Sequence, residues 1–263
     1  MACIDHSAPG TGSPVDMNSR RAQREIQHGR MLAQTDPEEI WGWGTPAGRV
    51  RARRRAELIA TASKLRPGIR ALEIGCGTGL FTEMFARSET QLVAVDISGD
   101  LLKRARTRGL PPERVMFLEK SFEDCDVEGP FDAVIGNSIL HHLDLDLALP
   151  RIHTLLKPGG TIAFAEPNML NPQIALQKNI PWLKHRLGDS PDETAFIRWR
   201  FTKVLLAAGF EDVVITPFDW LHPATPVAMI PFVSRIGMIL ELVPGLREFS
   251  GSLLIRGKRG ESK

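Results

Sequence analysis

The sequence predicts an α/β protein built on a Rossmann-like, doubly wound sheet, and three observations support this. From Arg70 onward, short apolar runs alternate with helical patterns along the chain. The first run, Ala71–Ile74, enters the turn Gly75–Gly79, which has alternate glycines, and a helical pattern follows the turn. Strands that alternate with helices are typical of right-handed crossovers and of a parallel sheet covered on both faces.

Composition excludes several classes of protein. The chain has 263 residues, of which 43% are hydrophobic and 24% charged, as in ordinary soluble globular proteins. A formal net charge of +2 indicates no overall preference for nucleic acid or for acidic partners. Cys3, Cys76 and Cys125 are widely spaced, so they predict neither a disulfide framework nor a zinc or other metal site. We therefore expect a cytoplasmic protein.

The N-terminal part is expected to be a tail followed by a helical lid. Residues 1–20 lack the apolar core of a secretory signal, and their polar composition predicts a disordered tail. Residues 21–66 form the predicted lid, which contains helices over Ser19–Gln34 and Gly48–Leu65. Between these helices, Trp41 and Trp43 alternate with glycines, so this segment is either a hydrophobic clasp on the main domain or a cover over a ligand.

Five arginines lie near the start of the second lid helix. They spread around the helix, which favours a solvated face, while a clamp for a ligand carboxylate and a nucleic-acid patch are the alternatives. No aromatic pattern for stacking on RNA bases accompanies them. The five residues are Arg49, Arg51, Arg53, Arg54 and Arg55.

Residues 67–263 are predicted to form the main domain, with cap insertions at about 168–193 and 219–250. After Ala71–Ile74, the predicted strands are Gln91–Val95, Val115–Leu118, Phe131–Ile135, Thr161–Ala165, Asp212–Phe218 and Ser252–Lys258. Within the second insertion, prolines and charges interrupt the apolar run Pro226–Leu246, which argues against a membrane-spanning helix. We expect this run to be a cap or an oligomer interface, and contact with a membrane surface is the less favoured alternative.

Polar residues follow several of the predicted strands. In an open α/β sheet, ligands bind beyond the carboxyl ends of the strands. Asp96 ends the second strand, 17 residues after Gly79, where a carboxylate can accept both hydroxyls of a ribose. The other candidates at this edge are Ser121, Phe122, Glu123, Asp124, Asn137, His141, His142 and Glu166.

These features leave a dinucleotide and S-adenosylmethionine (SAM) as competing ligands. Glu73, just before the glycine turn, would repel a pyrophosphate but can pair with an ammonium group. The turn carries no basic residue that would hold phosphate, and no second nucleotide-binding half follows it. These observations favour SAM.

Several motifs, in the same order along residues 50 to 260, resemble those of class I SAM-dependent methyltransferases. The resemblance is greatest to the small-molecule branch that includes the ubiquinone/menaquinone C-methyltransferases. It rests on the segments Leu72–Gly79, Val95-Asp96, Phe131–Val134, Leu140–Leu143 and Leu156–Gly160. The resemblance implies a seven-stranded sheet whose last strand is antiparallel, and SAM as cofactor.

The resemblance also implies which residues hold SAM. Glu73 and the backbone of Gly75 and Gly77 would hold its methionine part, while Asp96 would hold the ribose. Two further contacts are an Ile97 side chain packed on adenine and an Asn137 carbonyl facing the amine. The family often has an Asp where this chain has Ser121, which makes Ser121 a weaker acceptor for the adenine edge. Cys76 and Phe122 complete the expected cofactor-binding set.

Methyl transfer requires alignment of the nucleophile, exclusion of water and, for a protonated nucleophile, a base. Glu166, His141 and His142 are the candidate catalytic residues, and structural roles remain open for each. Trp41, Trp43, Asn168 and Trp182 are expected to line a pocket for a small hydrophobic or amphiphilic metabolite. The alternatives are a SAM-binding fold used for a non-methylating reaction and a non-catalytic SAM-binding protein. Methylation of nucleic acid is less favoured, because Asn137-Ser138-Ile139-Leu140 differs from a base-clamping Asn-Pro-Pro-Tyr motif.

Overall fold

The structure is a computed structural model that describes residues 14–180, 182 and 194–261, with side chains from residue 21 onward. Its sheet has seven strands in the order β3-β2-β1-β4-β5-β7-β6. The strands are β1 (Arg70–Ile74), β2 (Gln91–Asp96), β3 (Val115–Glu119), β4 (Phe131–Asn137), β5 (Leu156–Pro167), β6 (Phe210–Phe218) and β7 (Ser252–Arg259). Strands β1 to β5 pair in parallel, and β7 is antiparallel to both β5 and β6. The predicted fold is confirmed.

Helices cover both faces of this sheet. In chain order they are α1 (Pro14–Ala33), α2 (Pro37–Ile40), α3 (Pro46–Ala62), α4 (Leu80–Ala86), α5 (Gly99–Arg106), α6 (Leu145–Leu155), α7 (Pro172–Asn179), α8 (Arg198–Ala207) and α9 (Ile230–Leu242). Side-chain caps fix several helix starts: Ser98 accepts from the Leu101 N–H at α5, and Thr45 accepts from the Gly48 N–H at α3.

Helix α1 corrects the predicted N-terminal tail. It begins at Pro14, so residues 14–20 are helical although the sequence analysis places them in the tail. Proline suits the first turn of a helix, because its fixed φ is helical and its missing N–H would have no partner there. Residues 1–13 lie outside the described residues, as do 181 and 183–193 of the first predicted insertion.

The central strands are buried because helices pack on both of their faces. Leu72, Val134 and Phe164, from β1, β4 and β5, are fully buried in one core cluster. Strand β5 starts at Leu156, earlier than the predicted Thr161, because Leu156 pairs with Phe131 before the register shifts. The rigid sheet fixes the carboxyl ends of β1, β2, β4 and β5 at one edge, where the candidate site lies.

The second predicted insertion is a helical cap. Helix α9 packs against the segment that follows β6: a Cβ added at Gly237 would lie 2.9 Å from the Cβ of Trp220. Arg54 of α3 holds the cap from the other side through a bidentate ion pair with Glu241, at 2.8 and 2.6 Å. The cap is therefore attached both to the sheet and to the N-terminal lid.

Candidate functional site

The glycine turn joins β1 to α4 in a conformation that requires glycine. Gly75, Gly77 and Gly79 all have φ between 52° and 75°, a region that other residues rarely adopt. A Cβ on Gly75 would come within 2.4 Å of Ile139, and one on Gly79 within 2.9 Å of Ala105. Two of the glycines therefore also allow close packing inside the protein, in addition to the close approach of a ligand that the sequence suggests.

Asp96 lies directly beside this turn. One carboxylate oxygen accepts from the Gly77 N–H at 2.7 Å, and the other accepts from the Ser98 N–H at 2.8 Å. Burial raises the pKa of Asp96, and these two hydrogen bonds oppose that effect. Each carboxylate oxygen has a second lone pair, so the fixed and partly exposed side chain can still accept from a diol.

A cavity of about 820 Å³ opens at this edge of the sheet. Its size falls within the range of small-molecule sites, roughly 300–1,000 Å³. The glycine turn and the ends of β2 and β4 form one wall, while α1, α7 and the segment after β6 form the others. Predicted site residues that line it are Trp41, Trp43, Gly75, Cys76, Gly77, Asp96, Ile97, Ser121, Phe122, Asn137, His141 and His142.

Glu73 does not lie among the described residues that line this cavity. Its side chain is 1% exposed, and one carboxylate oxygen has no hydrogen-bond partner among the described residues. Burial raises the pKa of Glu73 to about 8, and the nearby Asp96 charge adds to that rise. The carboxyl is therefore mostly protonated at neutral pH in this conformation, and its predicted contact with the SAM amine stays a prediction.

The expected adenine side is formed by Ile97, Ser121 and Phe122. The Ser121 hydroxyl donates to a carboxylate oxygen of Glu123 at 3.0 Å, and Phe122 is 3% exposed within the core. Burial raises the pKa of the neighbouring Cys76 thiol well above its ordinary value, so this thiol stays protonated. This side of the cavity combines apolar side chains with the Ser121 hydroxyl, and the charged Lys120, Glu123 and Asp124 also line it.

The two tryptophans of the lid line the cavity, as the sequence predicts. The Trp43 ring meets Phe81 edge-on at 5.5 Å, and the guanidinium groups of Arg51 and Arg55 each lie 5.2 Å from its centre. Trp41 approaches Gly77, where an added Cβ would lie 3.5 Å from its ring. Trp43 is therefore a clasp that joins the lid to the core, and Trp41 covers the glycine turn.

Three of the five lid arginines are engaged in the interior, which corrects the favoured interpretation of a solvated face. Arg55 is 4% exposed and donates to the side chains of Asn137, Asp219 and Ser252. Arg51 pairs with Asp219 at 2.9 Å, and Arg54 pairs with the cap. Burial lowers the pKa of Arg55 to about 10, and the opposing Asp219 charge limits the fall. Arg55 thus stays charged and lines the cavity.

Sequence reasoning missed Asp219 as a cavity residue, although a signal was present. It directly follows β6, just as Asp96 ends β2, and β6 runs in the same direction as β1 to β5 because both β5 and β6 are antiparallel to β7. Asp219 is 5% exposed, and its pKa is lowered because the attraction of Arg51 and Arg55 outweighs the effect of burial. It is therefore a buried, ionised carboxylate at the cavity wall.

His141 and Glu166 form a buried pair at the ends of β4 and β5. His141 Nδ1 lies 2.6 Å from Glu166 Oε2, while Glu166 Oε1 accepts from the N–H groups of Ile139 and Leu140 at 2.9 and 2.8 Å. In the tautomer that carries the proton on Nδ1, His141 donates this hydrogen bond to Glu166. The other ring nitrogen, Nε2, is then unprotonated and can act as a base.

This geometry favours the structural alternative for Glu166 over a role as catalytic base. Its side chain is 0% exposed, both its oxygens are engaged, and it is not among the described residues that line the cavity. Glu166 cannot touch a substrate there, so it is a positioning residue for His141. His142 also lines the cavity, and its Nδ1 lies 3.3 Å from Glu25 of α1.

Two predicted pocket residues do not line the cavity. Asn168 is 1% exposed and donates to the carbonyls of Glu248 and Ser250, both at 2.8 Å, so it joins the end of β5 to the C-terminal cap. Trp182 is 65% exposed and is absent from the described cavity lining. The pocket prediction is wrong for Asn168, because its side chain is committed to the cap, and it stays a prediction for Trp182, whose neighbours in the chain lie outside the described residues.

The arrangement fits SAM on three grounds. The turn presents the backbone around Gly77 to the cavity, Asp96 offers carboxylate oxygens for a diol, and Ile97 lies beside apolar surface suited to a base. Residues that could hold the charged methionine end are Arg51, Arg55, Asp219 and Asn137. No group of three or more His, Cys, Asp or Glu residues in the described part of the chain is arranged to hold a metal.

Comparison with known proteins supports a methyltransferase domain. Residues 71–160, from β1 into β5, match the methyltransferase domain family. This segment is therefore a methyltransferase domain of the SAM-dependent kind. The resemblance inferred from the sequence is thereby confirmed, and SAM is the methyl donor of that class of enzymes.

Relatives of this methyltransferase domain include proteins named as ubiquinone biosynthesis O-methyltransferases. The ubiquinone biosynthesis O-methyltransferase of Xanthomonas campestris pv. campestris (strain B100) is 38% identical over 126 residues, which are 46% of this chain and 52% of the relative. This chain thus spans about half the length of the curated relatives that it matches.

Solved structures share the whole fold at low sequence identity. The N-methyltransferase NodS from Bradyrhizobium japonicum WM9, in complex with S-adenosyl-L-homocysteine, is 17% identical with a TM-score of 0.59. The match covers 90% of this chain and all of NodS. The [4+2]-cyclase SpnF is 21% identical with a TM-score of 0.62, covering 90% of this chain and 97% of SpnF.

Proposed function

We propose that this protein transfers a methyl group from SAM to a hydroxyl or amine group of a small hydrophobic or amphiphilic molecule. The observation that carries the proposal is the His141–Glu166 pair, which lies beside the glycine turn and Asp96 at one edge of the sheet. SAM supplies an electrophilic methyl group, and a nearby base is needed when the accepting atom carries a proton.

Several residues of this chain are proposed to hold SAM and to orient it. Asp96 and the backbone around Gly77 hold the ribose and the methionine end of the cofactor. Arg51 and Arg55 supply positive charge for its carboxylate, and Asp219 fixes both guanidinium groups. Trp41 excludes water from the turn. These contacts orient the donor, and orientation alone contributes a large part of the rate in such reactions.

His141 is proposed to remove the proton from the acceptor. Its Nε2 is unprotonated while Nδ1 donates to Glu166, and the carboxylate stabilises the imidazolium that forms after proton transfer. This arrangement favours acceptors that lose a proton on methylation. The enzyme named for ubiquinone O-methylation and the N-methyltransferase NodS fit that expectation, since both act at heteroatoms by name.

The cavity walls support a hydrophobic or amphiphilic acceptor. Beyond the expected cofactor positions, the wall includes Trp43, Trp220, Leu221 and Ile174. Polar residues share this wall, among them Asn171, Gln173 and His222, and Gln173 Nε2 lies 3.0 Å from His222 Nε2. A small amphiphilic molecule with an apolar body and a polar, reactive heteroatom matches this mixed lining.

The experiment that tests the proposal uses isotopically labelled SAM. The protein is incubated with labelled SAM and a cell extract, and mass spectrometry then identifies any molecule that gains one methyl group. The control is the His141→Ala variant, which should bind SAM as tightly as the unchanged protein. The proposal predicts a labelled product that depends on His141. SAM binding with no labelled product would contradict it and would favour a non-methylating reaction.

A further inference from the structure

Helix α9 and its flanking turns expose an extended apolar surface, which we call the α9 face. Leu242 is 81% exposed, Phe232 62% and Ile239 51%. The other large apolar residues of the face are Val227, Met229, Ile236, Met238, Val243 and Leu246. Contiguous exposed patches of this kind mark sites of interaction in soluble proteins.

The charge of the α9 face is positive. Arg235 is the only charged residue among the exposed positions between Pro226 and Leu246. The acid of the helix, Glu241, points inward, where Arg54 pairs with it and the Asp219 N–H donates to it at 2.9 Å. The face therefore presents apolar side chains and one cation, with no negative charge, which suits an anionic lipid surface.

The width of the face distinguishes a lipid surface from another helix. At 3.6 residues per turn, the exposed apolar positions from Met238 through Phe232 to Met229 cover about half of the helix circumference. A partner helix buries a narrower stripe and would leave Met238 and Leu242 in water. Pairing with a second copy about the middle of α9 would also bring two Arg235 side chains together with no exposed acid nearby.

Segments of this chain outside the described residues are poorly suited to cover the face. Residues 1–13 and 183–193 contain few large apolar side chains, namely Met1, Ile4, Leu183 and Leu187. Their remaining residues are mostly polar, charged or small. They offer too little apolar area to cover nine exposed apolar residues.

The inner side of α9 lies against the wall of the cavity. Gly237 packs on Trp220, and Trp220 together with Leu221 and His222 lines the cavity. We infer that the α9 face docks on an anionic lipid bilayer and that the acceptor of the methyl group is a lipophilic molecule drawn from that bilayer. The second half of this inference rests on the proposed function. No helix in the described part of the chain is long and apolar enough to cross a membrane.

Flotation with lipid vesicles tests the docking without SAM or substrate. The full chain is mixed with vesicles of phosphatidylcholine, alone or with phosphatidylglycerol. We expect binding that is stronger with phosphatidylglycerol. The double variant Phe232→Ser/Ile239→Ser should bind at least ~10-fold more weakly, because two large side chains lose their apolar contact. Arg235→Glu should reduce binding to the anionic vesicles more than to the neutral ones.

The control is Leu206→Ser/Val214→Ser, which changes exposed apolar residues on α8 and β6 outside the α9 face. It should bind vesicles like the unchanged protein. Failure of the unchanged protein to float with either vesicle overturns the inference. So does a stable dimer in lipid-free solution that Phe232→Ser/Ile239→Ser dissociates, since a second copy would then cover the face. SAM affinity measured separately by calorimetry shows whether the proposed function fails on its own.

Discussion

The Glu166→Gln substitution tests the catalytic arrangement most specifically. In the structure, Glu166 Oε1 accepts two backbone N–H bonds and Oε2 accepts from His141. Glutamine has a single oxygen, which will remain on the two backbone donors. Its amide nitrogen then faces His141 Nδ1 and donates to it, so the imidazole proton moves to Nε2. The base would therefore be lost although the shape of the site is retained.

The size of the effect follows from the role of the base. General bases contribute about 10²–10⁴-fold to rates, so turnover of Glu166→Gln should fall by roughly that factor. SAM affinity should stay within about twofold, because Glu166 is absent from the described cavity lining. Glu248→Gln is a matched control, since this carboxylate also holds a side-chain partner, Arg198 at 2.6 Å, but lies outside the described lining.

Two assays measure this prediction. Turnover is followed with labelled SAM and the acceptor identified from extract. The tautomer of His141 is followed by nitrogen NMR of histidine-labelled protein, which needs no substrate. We expect the proton on Nδ1 in the unchanged protein and on Nε2 in Glu166→Gln. The reasoning is refuted if turnover is unchanged, or if turnover, SAM affinity and thermal stability all fall together.

Three further predictions concern the cofactor site and its supports. Asp96→Ala should weaken SAM binding by about 1–3 kcal/mol, because a charged acceptor is lost; unchanged affinity in calorimetry would remove Asp96 from the site. Asp219→Asn should lower the free energy of unfolding by about 3–5 kcal/mol, since it leaves Arg51 and Arg55 without their buried partner; urea unfolding with no change would contradict this. Glu73 has a pKa of about 8, above its ordinary 4.5, so the folded protein holds a proton that the unfolded chain releases, and stability falls as pH rises from about 4.5 to 8. That pKa difference corresponds to roughly 5 kcal/mol of stability. Glu73→Gln should therefore stabilise the protein increasingly as the pH rises over this range. The prediction is refuted if the unfolding midpoints of the variant and the unchanged protein differ by the same amount at pH 5 and at pH 8.

Local patterns in the sequence predicted the elements that form the cofactor side of the site. The glycine turn and Asp96 each depend on a few neighbouring residues and on the strand that precedes them. Those features were recognisable because a buried parallel strand and a turn with positive φ leave distinct residue patterns. The number of strands and the antiparallel last strand followed from the family resemblance, whereas the order of strands came from the structure.

Long-range side-chain contacts were not visible in the same way. Nothing near Arg55 in the sequence indicates that it will be buried against Asp219, 164 positions away. The pairing of His141 with Glu166 depends on β4 and β5 being neighbours, which places two strand ends together although each residue alone has a structural alternative. Asn168 illustrates the converse, since a polar residue after a strand serves the cap and not the cavity.

The most direct test of the central claim is the labelled-SAM incubation followed by mass analysis of the products. The account predicts that SAM is converted to S-adenosylhomocysteine in step with one labelled small molecule, and that His141→Ala abolishes the conversion while it still binds SAM. Tight SAM binding without conversion of SAM in the presence of any extract would contradict the account. A labelled product that His141→Ala forms equally well would also contradict it.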